Sequence, residues 1–408
     1  MNDPLVIVGA GQSGLQLAES LRKERFDGEI LLIGDETHGP YRRPPLLKGL
    51  LLEEMKPEQF TLRDVPGLER NHITLLTGRK VTAIDRMTRR ITLSDGAEQG
   101  YVKLALATGS QPHVLPIDGV DLAGVHCLRT FDDVLAISTE LKAAQHVTVI
   151  GGGFIGLEMA AVARKLGKEV VVLESESRLM AKVVGPPVSE YILGLHLQNG
   201  VDVRLNTKVT SLCGSAGHVT GVMMEEGDPL ATDLVVLAVG VTPNAELAEA
   251  AGMSCNNGVV VDACGRTSDP YIVASGDCTA TRVRNNGRLR RLESVQNAVE
   301  QAKAAAAALM DKEKPFTDAP LFWSDQFHVK LQMVGRSADF DSVVERGDVR
   351  GKSFSFCYFK NGVLVAIESI NAPQDHMAGR KLIGNLAALT ITPRQAANKC
   401  YDLLGSLR

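Results

Sequence analysis

One short pattern occurs twice in this chain, and that repetition limits its possible folds more than any other feature. An apolar segment at 5–8 runs into Gly9-Ala10-Gly11-Gln12-Ser13-Gly14, and another at 147–150 runs into Gly151-Gly152-Gly153-Phe154-Ile155-Gly156. After each glycine run the apolar spacing becomes helical: Leu17, Ala18 and Leu21 share a face, as do Ile155, Met159, Val162 and Leu166. A second apolar segment follows each helix, at 29–33 and 169–173. Strand, glycine turn, helix and strand open a doubly wound parallel sheet, and in that setting GxGxxG is a dinucleotide-binding turn. The first glycine permits the tight turn, the second lets the backbone approach a pyrophosphate, and the third lets helix pack on strand. The helix N-terminus then offers unpaired N–H groups and a partial positive charge to the phosphates.

An acid about 20 residues beyond such a motif receives the ribose hydroxyls. In the first unit that acid is Asp35, with Glu36 as a close competitor; in the second it is Glu174. A carboxylate there repels a 2′-phosphate, so the second site favours NADH over NADPH, although Arg178 nearby pulls the other way. Two complete motifs ask for two dinucleotides. One nicotinamide cannot usefully reduce another, so the economical second ligand is a flavin, which accepts hydride as a pair and can release electrons singly.

Further strand-like segments end in glycine turns. One runs from Leu104 into Ala107-Thr108-Gly109, one at 234–239 ends at Gly240, and one at 271–274 leads into Ser275-Gly276-Asp277. An alanine-rich helix follows at 298–309. Beyond Pro315 the pattern changes to short strands at 328–334, 353–359 and 363–370, with a last helix at 393–404. That tail reads as a separate small α+β domain. With 408 residues the chain exceeds what one core covers, so two or three domains are expected.

The net charge of −4 gives no reason to expect nucleic acid or an anionic membrane surface as partner. No apolar run is long enough to span a bilayer, and the start lacks a secretory pattern, so the expected location is the cytoplasm. The 7 cysteines form no CxxC pair and no metal-ligand cluster, and the first is Cys127. A flavoprotein disulfide reductase needs a reactive cysteine soon after the second strand of its flavin unit, so that chemistry is excluded. A basic run at Arg282, Arg284, Arg288, Arg290 and Arg291 reads either as a solvated loop or as a docking patch for an acidic partner.

Several further motifs stand in a fixed order: Pro44-Pro45-Leu46-Leu47-Lys48, Leu128-Arg129-Thr130, Ser275-Gly276-Asp277-Cys278, Glu293-Ser294-Val295-Gln296-Asn297-Ala298 and Phe322-Trp323-Ser324-Asp325-Gln326. With Gly9-Ala10-Gly11, Ala107-Thr108-Gly109 and the segment 151–158, they cover essentially the whole length. In these features the chain resembles the FAD-dependent, NADH-oxidising ferredoxin reductases of bacterial oxygenase systems, the putidaredoxin reductase and biphenyl dioxygenase type. The resemblance implies a glutathione-reductase-like architecture of class α/β: two doubly wound Rossmann-like domains and a small C-terminal α+β domain. The FAD-binding domain would take 1–110 and 236–318, the NADH-binding domain 111–235, and the C-terminal domain 319–408.

Carried over residue by residue, FAD would be held by Gly9, Gly11, Ser13, Gly14, Asp35, Arg43, Lys48, Val81, Ala107, Thr108, Gly109, Arg129, Gly276, Asp277 and Val295. NADH would be held by Gly151, Gly153, Ile155, Gly156, Glu174 and Gly240. Lys48 would lie beside the isoalloxazine and stabilise negative charge on reduced flavin, Glu158 would pair with Lys48, and Trp323 would stand on the electron-exit side. The acceptor would be a small iron–sulfur ferredoxin serving a cytochrome P450 or a Rieske-type oxygenase. It would dock near Arg282, Arg284, Lys303 and Trp323, and would bring its own cluster, since the chain lacks a Cys₄ set. The protein itself would be a monomer or a homodimer.

The family segment usually reads tyrosine, an acidic or polar residue, arginine, two prolines, leucine, serine and lysine. Here Arg42 and Leu47 replace the second and seventh residues of that run. Competing readings are a redox-sensing flavoprotein similar to apoptosis-inducing factor, or a reductase for rubredoxin or monodehydroascorbate.

Overall fold

A computed structural model describes residues 3–282, 288–317, 319–338, 340–384, 391–403 and 405. The chain divides into two compact units. One comprises Met1–Arg42, Pro57–Gln111 and Val241–Asp318; the other comprises Arg43–Lys56, Pro112–Gly240 and Ala319–Arg408. Residues 43–56, inside the 1–110 segment of the expected division, pack with the second unit.

The first unit is built on a five-stranded parallel sheet in the order Ile272–Ala274, Leu104–Leu106, Leu5–Val8, Ile30–Ile33, Ile73–Leu76. Most of these strands are continuously apolar because both faces of the sheet are covered. On one face lie the helices Gln12–Lys23 and Val295–Leu309. Leu15, Leu17 and Leu21 of the first helix pack with Ala302, Ala305 and Ala306 of the second. The small alanine side chains let two helices and a sheet share one layer of core. On the other face a small antiparallel sheet, Val81–Asp85, Arg90–Leu93 and Glu98–Gly100, contributes Val81, Ile84 and Ile91 to a second cluster.

The second unit contains two five-stranded sheets and a small three-stranded one, Val209–Ser215, His218–Met224 and Leu230–Ala231. The parallel one runs Val201–Arg204, Glu169–Leu173, His146–Ile150, Leu234–Leu237, Val125–Cys127. The helix Phe154–Lys165 packs on it, and so does the helix Pro186–Gln198. The short helix Leu46–Leu51 packs on Phe154–Lys165 and on Phe131–Ala143. The other five-stranded sheet is antiparallel, in the order Leu321–Gln326, Val329–Gly335, Val363–Ile370, Phe354–Lys360, Ser342–Gly347, with the helix Pro373–Gly384 against it. Leu321–Gln326 is thus an edge strand, and alternation along it buries Ser324 and Gln326 while Trp323 faces outward, 41% exposed.

Candidate active site

Each glycine turn separates two demands on its residues. Gly9 and Gly151 both have φ of +110°, and a Cβ on them would lie 2.1 Å from the Ala107 carbonyl oxygen and 2.4 Å from that of Ala238. A Cβ on Gly14 would stand 1.8 Å from the Gly9 oxygen, and one on Gly156 would stand 2.1 Å from the Gly151 oxygen. These outer glycines are required by the protein's own backbone. The middle glycines are not: a Cβ on Gly11 or Gly153 would meet nothing within 4 Å. A bare backbone facing open space is the cradle that a pyrophosphate needs.

The helix starts support the same reading. Gly11 and Gly153 are the N-caps of Gln12–Lys23 and Phe154–Lys165, with no side-chain cap and no acid in the first turn. Thr130, Ser294 and Thr392 do cap their helices through side-chain oxygens. The two glycine-turn helices therefore leave their first N–H groups and positive dipole ends to a ligand anion.

Around the first turn, Asp35 is exposed, whereas Glu36 accepts a hydrogen bond from the Tyr41 hydroxyl at 2.5 Å. Ser13 is buried and its hydroxyl lies 2.8 Å from that of Ser275, so its side chain braces the loop while its main chain belongs to the turn. Gly276 donates its N–H to Gln301 at 2.8 Å, and Asp277 accepts from Ser110 at 3.1 Å. Ala107 is buried, and Thr108 and Gly109 are clamped by Asn244. The Thr108 hydroxyl donates to the Asn244 carbonyl at 2.7 Å, and the Asn244 amide donates back to the Thr108 carbonyl at 2.9 Å. The main-chain N–H of Asn244 reaches the Gly109 carbonyl. The side-chain oxygen of Asn244 is buried without a protein partner, an acceptor suited to a donor on a ligand. A lone asparagine after a proline carried no sequence signal. Val81 lies in the apolar cluster, and Val295 is the half-buried first residue of its helix.

Around the second turn, Glu174 clasps the loop. One carboxylate oxygen accepts from the Gly152 N–H at 2.7 Å, and the other accepts from the Glu176 N–H at 2.8 Å. Arg178 donates to the carbonyls of Val184 at 2.8 Å and Ala181 at 2.6 Å, so its guanidinium is spent on the backbone. Ile155, 39% exposed, stands at the mouth of the turn, and Gly240, with φ of +110°, is exposed.

The same unit assembles an ionic constellation. Lys48 Nζ lies 3.1 Å from Glu158 Oε1 and 3.5 Å from Asp325 Oδ2. The same Glu158 oxygen accepts from the Ser324 hydroxyl at 2.7 Å and from the Asp325 N–H at 3.1 Å. Burial pushes the Glu158 carboxyl up from its usual range; Lys48 and the two other donors oppose that. Asp325 and Ser324 complete this group; in the sequence they are only two members of the segment 322–326, since nothing in their spacing places them against Glu158. Nearby, Arg43 donates to the Arg129 carbonyl at 2.9 Å, and the Arg129 N–H reaches Asp133 at 2.9 Å. Of the two departures from the family pattern, Leu47 is buried and Arg42 is exposed.

The cationic residues expected at a docking surface are in part already paired. Lys303 is exposed and bridges Glu300 at 2.7 Å, and Arg291 bridges Glu293 at 2.7 Å. Arg282 and Arg288 are exposed, and Arg284 lies outside the described residues. All seven cysteines are free thiols, and burial pushes Cys127, Cys255, Cys264, Cys278 and Cys357 up, away from the thiolate form.

Residues 3–302 match the family described as pyridine nucleotide-disulphide oxidoreductase, and residues 321–405 match the one described as reductase C-terminal. The chain belongs to the pyridine nucleotide-disulphide oxidoreductase family. It is 42% identical over 399 residues to rhodocoxin reductase from Rhodococcus erythropolis, covering 98% of this chain and 93% of that one. Its fold matches the crystal structure of the ferredoxin reductase for the CYP199A2 system from Rhodopseudomonas palustris with a TM-score of 0.96 at 42% identity, over 100% of both chains. It also matches the covalent putidaredoxin reductase–putidaredoxin complex with a TM-score of 0.95 at 37% identity, over 100% of this chain and 98% of that one. The family is one of FAD-containing oxidoreductases that use NAD(H), and the two open glycine cradles fit two such dinucleotides. Among the described residues no helix is long and apolar enough to cross a membrane.

Proposed function

We propose that this protein is an NADH-dependent reductase that delivers single electrons to a small iron–sulfur protein of the ferredoxin class, which in turn serves a cytochrome P450 or Rieske-type oxygenase. The observation that carries the reading is the Lys48–Glu158 pair, held on the same unit as a second open glycine cradle and against the strand that bears Trp323. Gly9, Gly11 and Gly14 in the first unit hold FAD, and Gly151, Gly153 and Gly156 hold NADH. Asp35, Asp277 and the Thr108–Asn244 clamp anchor the flavin nucleotide in the first unit. Bound flavin supplies the conversion from paired to single electrons.

The chain's own residues bind, align and hold charge. The uncapped helix starts receive the pyrophosphates. Glu174 presents a carboxylate to the ribose and leaves no room for a 2′-phosphate charge, and Arg178 is too occupied to offset it. Lys48 stands beside two carboxylates, placed to balance negative charge developed on the reduced cofactor. The outward Trp323 gives the docked partner an aromatic contact. Burial holds Cys127, Cys255, Cys264, Cys278 and Cys357 away from the thiolate form, and the acceptor brings the iron–sulfur centre. The cytoplasm is the proposed location.

Purified holoprotein should oxidise NADH rapidly with ferricyanide, and should reduce cytochrome c only when a bacterial ferredoxin is added. Slow flavin reduction, a long-lived charge-transfer complex and no ferredoxin turnover would replace this reading with a redox sensor. Turnover with rubredoxin or monodehydroascorbate alone would keep the enzyme class and change the acceptor.

A further inference from the structure

Behind the Lys48–Glu158 pair runs a continuous line of buried polar side chains. Gln326 Nε2 donates to Ser324 Oγ at 3.1 Å, and His196 Nε2 lies 2.9 Å from Gln326 Oε1. Ser324, Gln326 and His196 are each at most 1% exposed. The residues come from the edge strand Leu321–Gln326 and the helix Pro186–Gln198, and the ends of the His196–Gln326 link lie 130 positions apart.

Elementary donor and acceptor rules give the line a direction. An ionised carboxylate only accepts, so the Ser324 proton points at Glu158. Ser324 Oγ then accepts from the Gln326 amide nitrogen, which turns the amide oxygen to His196. An amide oxygen only accepts, so His196 carries its proton on Nε2. Its Nδ1 meets no protein partner, and burial pushes the imidazole down from its ordinary value, which keeps it neutral. Every bond in the line donates towards Glu158 Oε1, the oxygen that also meets Lys48 and the Asp325 N–H. A buried carboxylate without such donors would take up a proton and stop balancing its lysine.

We propose that Ser324, Gln326 and His196 are positioning residues whose aligned hydrogen bonds keep Glu158 ionised and aimed at Lys48, and so set the charge this pair presents to the bound flavin. The inference rests on the proposed electrostatic role of that pair. The groups that face Glu158 are Lys48 from Leu46–Leu51, Asp325 and Ser324 from Leu321–Gln326, and His196 through Gln326 from Pro186–Gln198.

The test is the midpoint potential of the bound flavin followed against pH in the holoprotein. Lys48→Met lowers the potential and Glu158→Gln raises it. In the unaltered protein the curve bends where Glu158 titrates, and the bend disappears in Glu158→Gln. Ser324→Ala and Gln326→Leu move the bend to higher pH, Ser324→Ala further because it removes the direct donor. His196→Phe moves it less, and His196→Gln, which keeps an N–H donor, restores it. Adding Ser324→Ala to Glu158→Gln changes nothing. If Lys48→Met and Glu158→Gln leave the potential where it was, the role of the pair itself fails. If those two act but Ser324→Ala and Gln326→Leu lower only the melting temperature and leave the bend in place, the positioning role is overturned.

Discussion

The two glycine turns are nearly the same object in backbone terms and differ in almost everything attached to them. Both open on a glycine at φ +110°, both place a glycine against that residue's carbonyl, and both leave the middle glycine facing open space. The first turn is braced from behind by neutral hydrogen bonds: Ser13 to Ser275, Gly276 to Gln301, and Asn244 to Thr108. The second is clasped from in front by the Glu174 carboxylate and followed one turn later by the half-buried Glu158. A scaffold fixed by neutral bonds suits a cofactor that stays. A scaffold whose acid lies across the turn suits a nucleotide that must be discriminated and released, because charge is the cheapest way to tell a ribose hydroxyl from a phosphate.

The largest expected effect breaks the turns at their shared element. Gly14→Ala and Gly156→Ala force a Cβ onto a carbonyl oxygen, and each should cost on the order of 4 kcal/mol, seen as a collapse of the melting temperature. Gly11→Ala and Gly153→Ala should stay within about 0.5 kcal/mol in stability yet weaken FAD and NADH binding respectively, measured by flavin retention and by NADH titration. Equal stability losses at middle and outer glycines would mean that the open cradle is not a ligand site.

A smaller effect separates the acids. Glu174→Gln should reduce the preference for NADH over NADPH by about tenfold, roughly 1.4 kcal/mol, in the ratio of kcat/KM values. Asp35→Asn should leave that ratio alone and release FAD more readily on dilution. A change of nucleotide preference in Asp35→Asn would reverse the assignment of the two sites.

The smallest effect is a pH dependence that only the second region should show. Burial raises the folded-state Glu158 carboxyl above its unfolded value, so the folded chain binds more protons than the unfolded one between the two. The contribution of this group is fully present at acid pH and is lost as pH rises from the unfolded value of about 4.3 through the raised folded value. Measured by denaturant unfolding against Glu158→Gln, the unaltered chain should gain relative stability as pH falls through that window. A difference that stayed flat with pH would show that Lys48 and the Ser324 donor fully cancel the burial.

The fold class and the two dinucleotide turns were legible in the chain alone. Those properties are local: a strand, a glycine run and a helix lie within about 30 residues, and their spacing is written directly in the chain. The family resemblance also placed Lys48 with Glu158, which the geometry brings to 3.1 Å. Packing settled which of Asp35 and Glu36 stays exposed, since Tyr41 engages Glu36. It also committed Arg178 to backbone carbonyls, and it brought Asn244, Asp325 and the His196–Gln326–Ser324 line to the chemistry. Ser324 and Glu158 stand 166 positions apart, and nothing in a polar residue's type says which distant partner its hydrogen bond will find. That is settled by packing, which buries the polar atoms together and makes each unpaired alternative costly.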